Sequence, residues 1–195
     1  MARPITYDEE FVLNAALDQF WEEGFSRSSV DMLVDCTGLN KHSLYQAFGG
    51  KNGLFLRVLE RYIHRRSRRY LAVFEQRRGL EALAGYFEVV LRKPDRRGCL
   101  VANTAVELGA SEDDSRSLIT RYYAELAACF QTAIEQGQRD GDIRAGLDAR
   151  DTAEWLVRAM QGLAVSTRLG ARPWPNAQAM LALLASDVET THTQQ

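Results

Sequence analysis

The stretch from Ser28 to Phe48, SSVDMLVDCTGLNKHSLYQAF, constrains this chain more than any other. Ser28 followed by Asp31 has capping-box spacing in front of the apolar positions Val30, Leu33 and Val34. Gly38 stops that helix, because a left-handed residue at a helix end costs glycine least. Asn40 caps the next helix, and Leu39 before it and Leu44 four residues after it are spaced as a hydrophobic staple. Two short helices joined by a glycine turn form the shape that lays one helix in a DNA major groove.

The flanks sharpen this reading. Upstream, Val12, Ala16 and Phe20 share one helical face with Leu13, Leu17 and Trp21 beside them, and Gly24 ends the run. Downstream, GGKNGLF opens another amphipathic helix at Gly49 to Phe55. Together these residues resemble the TetR/AcrR family of transcription regulators. The resemblance rests on the run from Ala16 to Phe25, on Ser28, on Thr37 to Lys41, on Leu44 to Phe48, and on Lys51, Leu54 and Phe55. It covers roughly the first third of the chain. It implies an all-α fold: an N-terminal helix-turn-helix domain of three helices over residues 1–50, then a helical effector-binding and dimerisation domain over residues 51–190, with a frayed tail at 191–195.

Composition narrows the class. No apolar run approaches the roughly 18 residues that span a bilayer. No charged-then-apolar signal segment opens the sequence, so a cytoplasmic protein without membrane contact is expected. Three cysteines, Cys36, Cys99 and Cys129, lie far apart and are odd in number, which suits a reducing compartment. No CxxC or HExxH spacing occurs, and neither a metal nor a cofactor is expected. The formal net charge is -2, and the first 48 residues are acidic. Positive charge follows at Lys51, Arg57, Arg61, Arg65, Arg66, Arg68, Arg69, Arg77 and Arg78. DNA affinity would therefore need a few well-placed cations and helix N-termini rather than a broad basic field.

Helices are expected over residues 6–23, 29–37, 41–48, 51–78, 80–91, 98–109, 115–140, 149–169 and 176–188, with no alternating strand. Pro94 with Gly98, Gly109 with Asp113, Gly141 with Gly146, and Pro173 with Pro175 punctuate them. On the helix after Lys51, the residues Arg57, Arg61, Arg65 and Arg68 share a face that reads as solvated or ion-paired.

In the family, the second helix of the motif enters the major groove. Carried over, His42, Ser43 and Gln46 are the base-reading candidates, since glutamine pairs bidentately with adenine and serine addresses several base edges. Ser28, Lys41, Tyr45 and Lys51 form the phosphate group. Asp31 stands outside it, because a carboxylate repels phosphate. The sequence departs from the family pattern at Gly49, Gly50 and Gly53.

The C-terminal half resembles the family in general layout. Leu156, Met160, Leu163 and Thr167 mark one apolar helix face, with small Ala159, Gly162 and Ser166 beside it. Ala177, Met180, Leu181, Leu184 and Val188 mark another. The resemblance implies that these faces build a homodimer on a two-fold DNA operator; the residues alone equally allow them to cap the chain's own core. In RGCLVANTAVELG, Cys99, Asn103 and Glu107 are spaced by four and suggest one wall of a pocket for a small-molecule or electrophile effector. The pattern looks like that of a TetR branch in which this cysteine sometimes senses thiol-reactive compounds, while an inert buried thiol is the plainer alternative. Tyr122 and Trp155 are further effector candidates. The leading reading is a homodimeric DNA-binding repressor released by such an effector. The alternative is a helical small-molecule-binding protein or small enzyme using the Cys99 face. No catalytic arrangement of Ser, His and Asp supports the latter.

Overall fold

The computed structural model describes residues 7–109 and 113–186. Its helices run in the order α1 Glu9–Glu23, α2 Val30–Thr37, α3 Lys41–Phe48, α4 Lys51–Arg66, a π-helical turn Ser67–Leu71, α5 Val73–Gln76, α6 Gly79–Leu91, α7 Leu100–Leu108, α8 Asp113–Asp140, α9 Ala149–Ser166, a 3-10 turn Thr167–Leu169, and α10 Trp174–Ala182. The expectation of an all-α chain holds for the described residues, which add to it a single isolated bridge between Ile143 and Ala185. That bridge, with Arg144 N–H on the Leu184 carbonyl, ends α10 earlier than the expected 188. Thr6, Val188 and the expected tail lie outside the described residues. The expected helix over 51–78 is interrupted by the π-helical turn, which widens the hydrogen-bond step and shifts the following residues on the helix surface.

The chain divides into two compact units: Met1–Ser67 with Asp95–Tyr122, and Arg68–Pro94 with Tyr123–Gln195. The expected boundary at residue 50 follows the motif, whereas packing adds α4, α7 and the start of α8 to the first unit. Long-range contacts cause this difference, and they leave no mark in a local pattern.

In the first unit, Asp8 caps α1 by accepting from Phe11 N–H at 3.2 Å. The buried face of α1, Val12, Ala16 and Phe20, packs against α2 and α4, whose Leu33, Leu54 and Phe55 are buried, and Leu44 of α3 is buried as well. The Phe20 and Phe55 rings meet edge-on at 5.0 Å, a favoured aromatic geometry. The arginine face of α4 is ion-paired, as expected: Arg57 reaches Glu9 at 3.6 Å, and Arg61 and Arg65 both hold Glu10 of α1.

In the second unit, Phe74, Tyr86, Phe87 and Phe130 form an aromatic core, with Tyr86 and Phe130 edge-on at 5.1 Å. Asp142 caps α6 from a distance, accepting from Leu80 N–H at 3.2 Å. Gly79 has φ +55, and a Cβ there would lie 2.6 Å from the Asp142 carboxylate, so both backbone and space require glycine. Of the apolar residues expected to form a dimer seam, Leu156, Met160, Thr167, Ala177, Met180, Leu181 and Leu184 are buried within this one chain, whereas Leu163 is half-buried and Val188 lies outside the described residues.

Candidate nucleic-acid interface

The helix-turn-helix builds itself from local caps. α2 starts at Ser29, whose hydroxyl accepts from Met32 N–H at 3.1 Å. The cap is thus one residue later than expected. Ser28 is instead fully buried, its hydroxyl donating to the Gly24 carbonyl at 2.7 Å. Consecutive serines offered two registers, and the burial of Ser28 decided between them. α2 ends at Gly38, φ +70, and Asn40 caps α3 by accepting from Ser43 N–H at 2.8 Å. Leu39 and Leu44 are buried, as the staple requires.

α3 presents Lys41, His42, Tyr45 and Gln46 on its exposed face. Tyr45 is 55% exposed, an unusual setting for an aromatic side chain. Two expected contacts are corrected. Ser43 is only 4% exposed and faces the core, and Ser28 has no exposed surface, so neither side chain can reach DNA.

The cations are not idle. Lys41 pairs with Asp31 of α2 at 2.7 Å, and this hydrogen bond and charge raise the Lys41 ammonium above its ordinary value. Both partners are well exposed, so the pair is weak and opens readily. Lys51 lies over the Phe25 ring at 4.3 Å and donates to the Ser26 carbonyl at 3.5 Å. Burial lowers its ammonium, partly offset by the Glu107 charge. Gly50 before it has φ +107, and a Cβ would meet the Tyr45 ring at 2.9 Å. The glycine departures from the family pattern thus have a cause: Gly50 lets Tyr45 lie against the backbone, and a Cβ at Gly53 would overlap the Phe48 carbonyl.

Cys99 is the residue before α7, not part of its first turn, and is 2% exposed. Its cationic neighbours in sequence, Arg96 and Arg97, are engaged elsewhere. Arg97 binds Asp95 and Asp18 and stacks on Trp21 at 4.0 Å, and Arg96 reaches Glu22 at 3.6 Å. Asn103 donates to the Arg97 carbonyl at 2.9 Å. Glu107 accepts from Phe25 and Ser26 N–H at 3.0 and 2.7 Å. Each of the three thus meets a different partner within the first unit. Tyr122 is buried in the first unit, and Trp155 is 44% exposed in the second. An open groove of about 440 Å³, bounded by Leu56, Arg57, Glu60, Asp114 and Arg121, contains none of these five residues.

A capped pair of short helices with an exposed polar face on the second defines a helix-turn-helix protein of the DNA-binding class. Comparison with known proteins gives the family. Residues 12–58 match "Bacterial regulatory proteins, tetR family", and residues 77–183 match "Tetracyclin repressor-like, C-terminal domain". The chain belongs to the TetR family, and it is a transcription regulator, not an enzyme. It is 32% identical over 175 residues to the HTH-type transcriptional repressor ComR of Escherichia coli (strain K12), covering 87% of this chain and 83% of ComR. It is 29% identical to the HTH-type transcriptional repressor DhaR of Mycobacterium sp. (strain GP1), covering 73% of each. Among solved structures, a cysteine-substituted CifR in complex with 26-base-pair operator DNA superimposes with a TM-score of 0.80 at 26% identity, covering 92% of this chain and 98% of CifR. These matches set aside the small-enzyme alternative. Among the described residues, no helix is long and apolar enough to cross a membrane.

Proposed function

We propose that this protein is a homodimeric repressor in the cytoplasm that reads a two-fold operator with α3 and is released by a small-molecule effector. The observation that carries the reading is the exposed polar face of α3, held by caps on a buried apolar base. His42 and Gln46 address bases, and Lys41, Tyr45 and Lys51 address phosphates. The names of ComR and DhaR support repression, and the CifR complex supports operator binding.

The dimer is supported by the outer face of α9. Trp155, Ala159, Gly162 and Ser166 follow the four-then-three spacing of one helical face, and Leu169 ends the 3-10 turn that continues it. Leu169 is 87% exposed, and a Cβ on Gly162 would meet open space. Small residues between large apolar ones allow a second helix to approach closely. Two copies joined there would give one molecule with two α3 readers, as a two-fold operator requires. Cys99, being buried, serves the core rather than an electrophile, which leaves a noncovalent effector as the favoured trigger.

Selection of bound duplexes from a random pool tests the function. A two-fold consensus is expected, and Gln46→Ala should relax one base position in each half. Equal recovery of all sequences by the wild type would refute it. Gly162→Glu should yield monomers in sedimentation and lower operator affinity.

A further inference from the structure

Glu107 is the unexpected residue in this structure. It lies at the last turn of α7, far in sequence from the DNA reader, yet its carboxylate grips two successive backbone amides of the α1–α2 turn. Phe25 N–H reaches Oε2 at 3.0 Å and Ser26 N–H reaches Oε1 at 2.7 Å. The turn is held from its other side too, since Lys51 donates to the Ser26 carbonyl and covers the Phe25 ring. Gly24 makes the approach possible: a Cβ there would lie 2.8 Å from the carboxylate, and its φ of +86 suits glycine alone.

The other end of α7 is fixed to α4. Tyr62 of α4 accepts from Leu100 N–H at 3.3 Å and from Arg66 at 2.9 Å, and its hydroxyl donates to the Cys99 sulfur at 3.9 Å. Burial, with Cys99 beside it, pushes the Tyr62 phenol above its ordinary value, so it remains a donor. α7 has nine residues and is about 13 Å long at 1.5 Å per residue. It is a strut with one foot on α4 and the other on the turn that leads into α2.

We propose that Glu107 is a positioning residue for DNA binding: by holding the Phe25–Ser26 backbone, it sets the placement of α2 and Lys51 on which the α3 reader depends. The inference rests on the DNA-binding reading above. Glu107 needs no contact with DNA. Its effect has the opposite sign to that of a carboxylate acting by charge alone, which would repel phosphate and weaken binding.

The test compares full-length wild type, Glu107→Gln and Glu107→Asp on the operator selected by the wild type. Glutamine keeps the length but offers one acceptor oxygen for two amides; aspartate keeps the charge but withdraws it by one methylene. Positioning predicts that both variants lose operator affinity by about fivefold or more, a typical size for coupling between distant sites. It also predicts that the amide resonances of Phe25 and Ser26 shift, while the selected consensus stays the same. A gain in affinity for Glu107→Gln with no change for Glu107→Asp would mean charge repulsion and overturn the proposal. Unchanged affinity with shifted amides would reduce Glu107 to a turn staple and overturn it as well. Unfolding of both variants at the assay temperature would assign the carboxylate to stability and would also overturn it. Failure of the wild type to select any sequence would instead refute the DNA-binding reading.

Discussion

α3 and α7 are both short helices whose polar residues are spaced so as to suggest a binding face. In the structure they behave oppositely. On α3, His42, Tyr45 and Gln46 project outward from a buried base formed by Leu44. Around α7, each polar group meets a partner in its own unit: Asn103 the Arg97 carbonyl, Thr104 the Leu100 carbonyl, Glu107 the turn after α1. Spacing alone suggested a binding face in both cases. What separates them is whether partners in the fold already use the hydrogen-bonding capacity: nearby carbonyls for Asn103 and Thr104, a distant turn for Glu107. A polar side chain with a satisfied partner gains little from a ligand that would have to replace it.

Substitutions on the two helices and around them test this contrast. The largest effect is expected at the buried base of the reader. Leu44→Ala removes a fully buried side chain and should cost about 2 to 5 kcal/mol in chemical denaturation. Gln46→Ala, on the outward face, should leave denaturation unchanged. It should cost about 1 to 3 kcal/mol in operator binding, confined to one base position. A stability loss there without a binding loss would make α3 resemble α7.

Gly50→Ala places a side chain at φ +107 and against the Tyr45 ring, and should destabilise the protein by about 1 to 3 kcal/mol while displacing Tyr45. Denaturation and the Tyr45 ring resonances would report both effects. The Ser28 and Ser29 pair tests the cap register. Ser29→Ala should cost about 1 kcal/mol through loss of the α2 cap.

Glu107 gives a pH signature. Burial pushes its carboxyl up, but the Ser26 and Phe25 amides and the Lys51 charge outweigh this, and the net position is below the ordinary carboxylate value. A depressed carboxylate stabilises the fold fully above its unfolded value and loses that contribution as pH falls through the folded one. The Phe25 and Ser26 amide resonances should therefore hold steady at neutral pH and move together in acid, below the ordinary carboxylate range. In Glu107→Gln that movement should vanish.

The smallest effect is expected at Asp31. Its pairing with Lys41 competes with phosphate, so Asp31→Asn should raise affinity for all duplexes alike, by less than about tenfold for so exposed a pair. Binding across a salt series would check it, since the gain should fade as salt rises.

Local chemistry made the reader legible. Gly38 and Asn40 acted where the sequence put them, because a left-handed glycine and a capping side chain work within three or four residues of their own position. Even here the Ser28 and Ser29 register was ambiguous, since both serines had the right chemistry and only burial separated them. The apolar faces of α9 and α10 were legible as apolar. Their direction was not, because periodicity states that a face is buried without stating what buries it.

The all-helical build and the helix-turn-helix follow from caps, glycines and periodicities spanning a few residues, and the family from the resemblance of those motifs to known regulators. The tertiary structure alone decided that Ser28 and Ser43 turn inward and that Lys41 rests on Asp31. It also decided that Cys99 is sealed and that Glu107 grips a turn 81 residues away in sequence. Those outcomes depend on which distant groups meet when the chain closes, and hydrogen bonds and burial between distant residues leave no local periodicity to read.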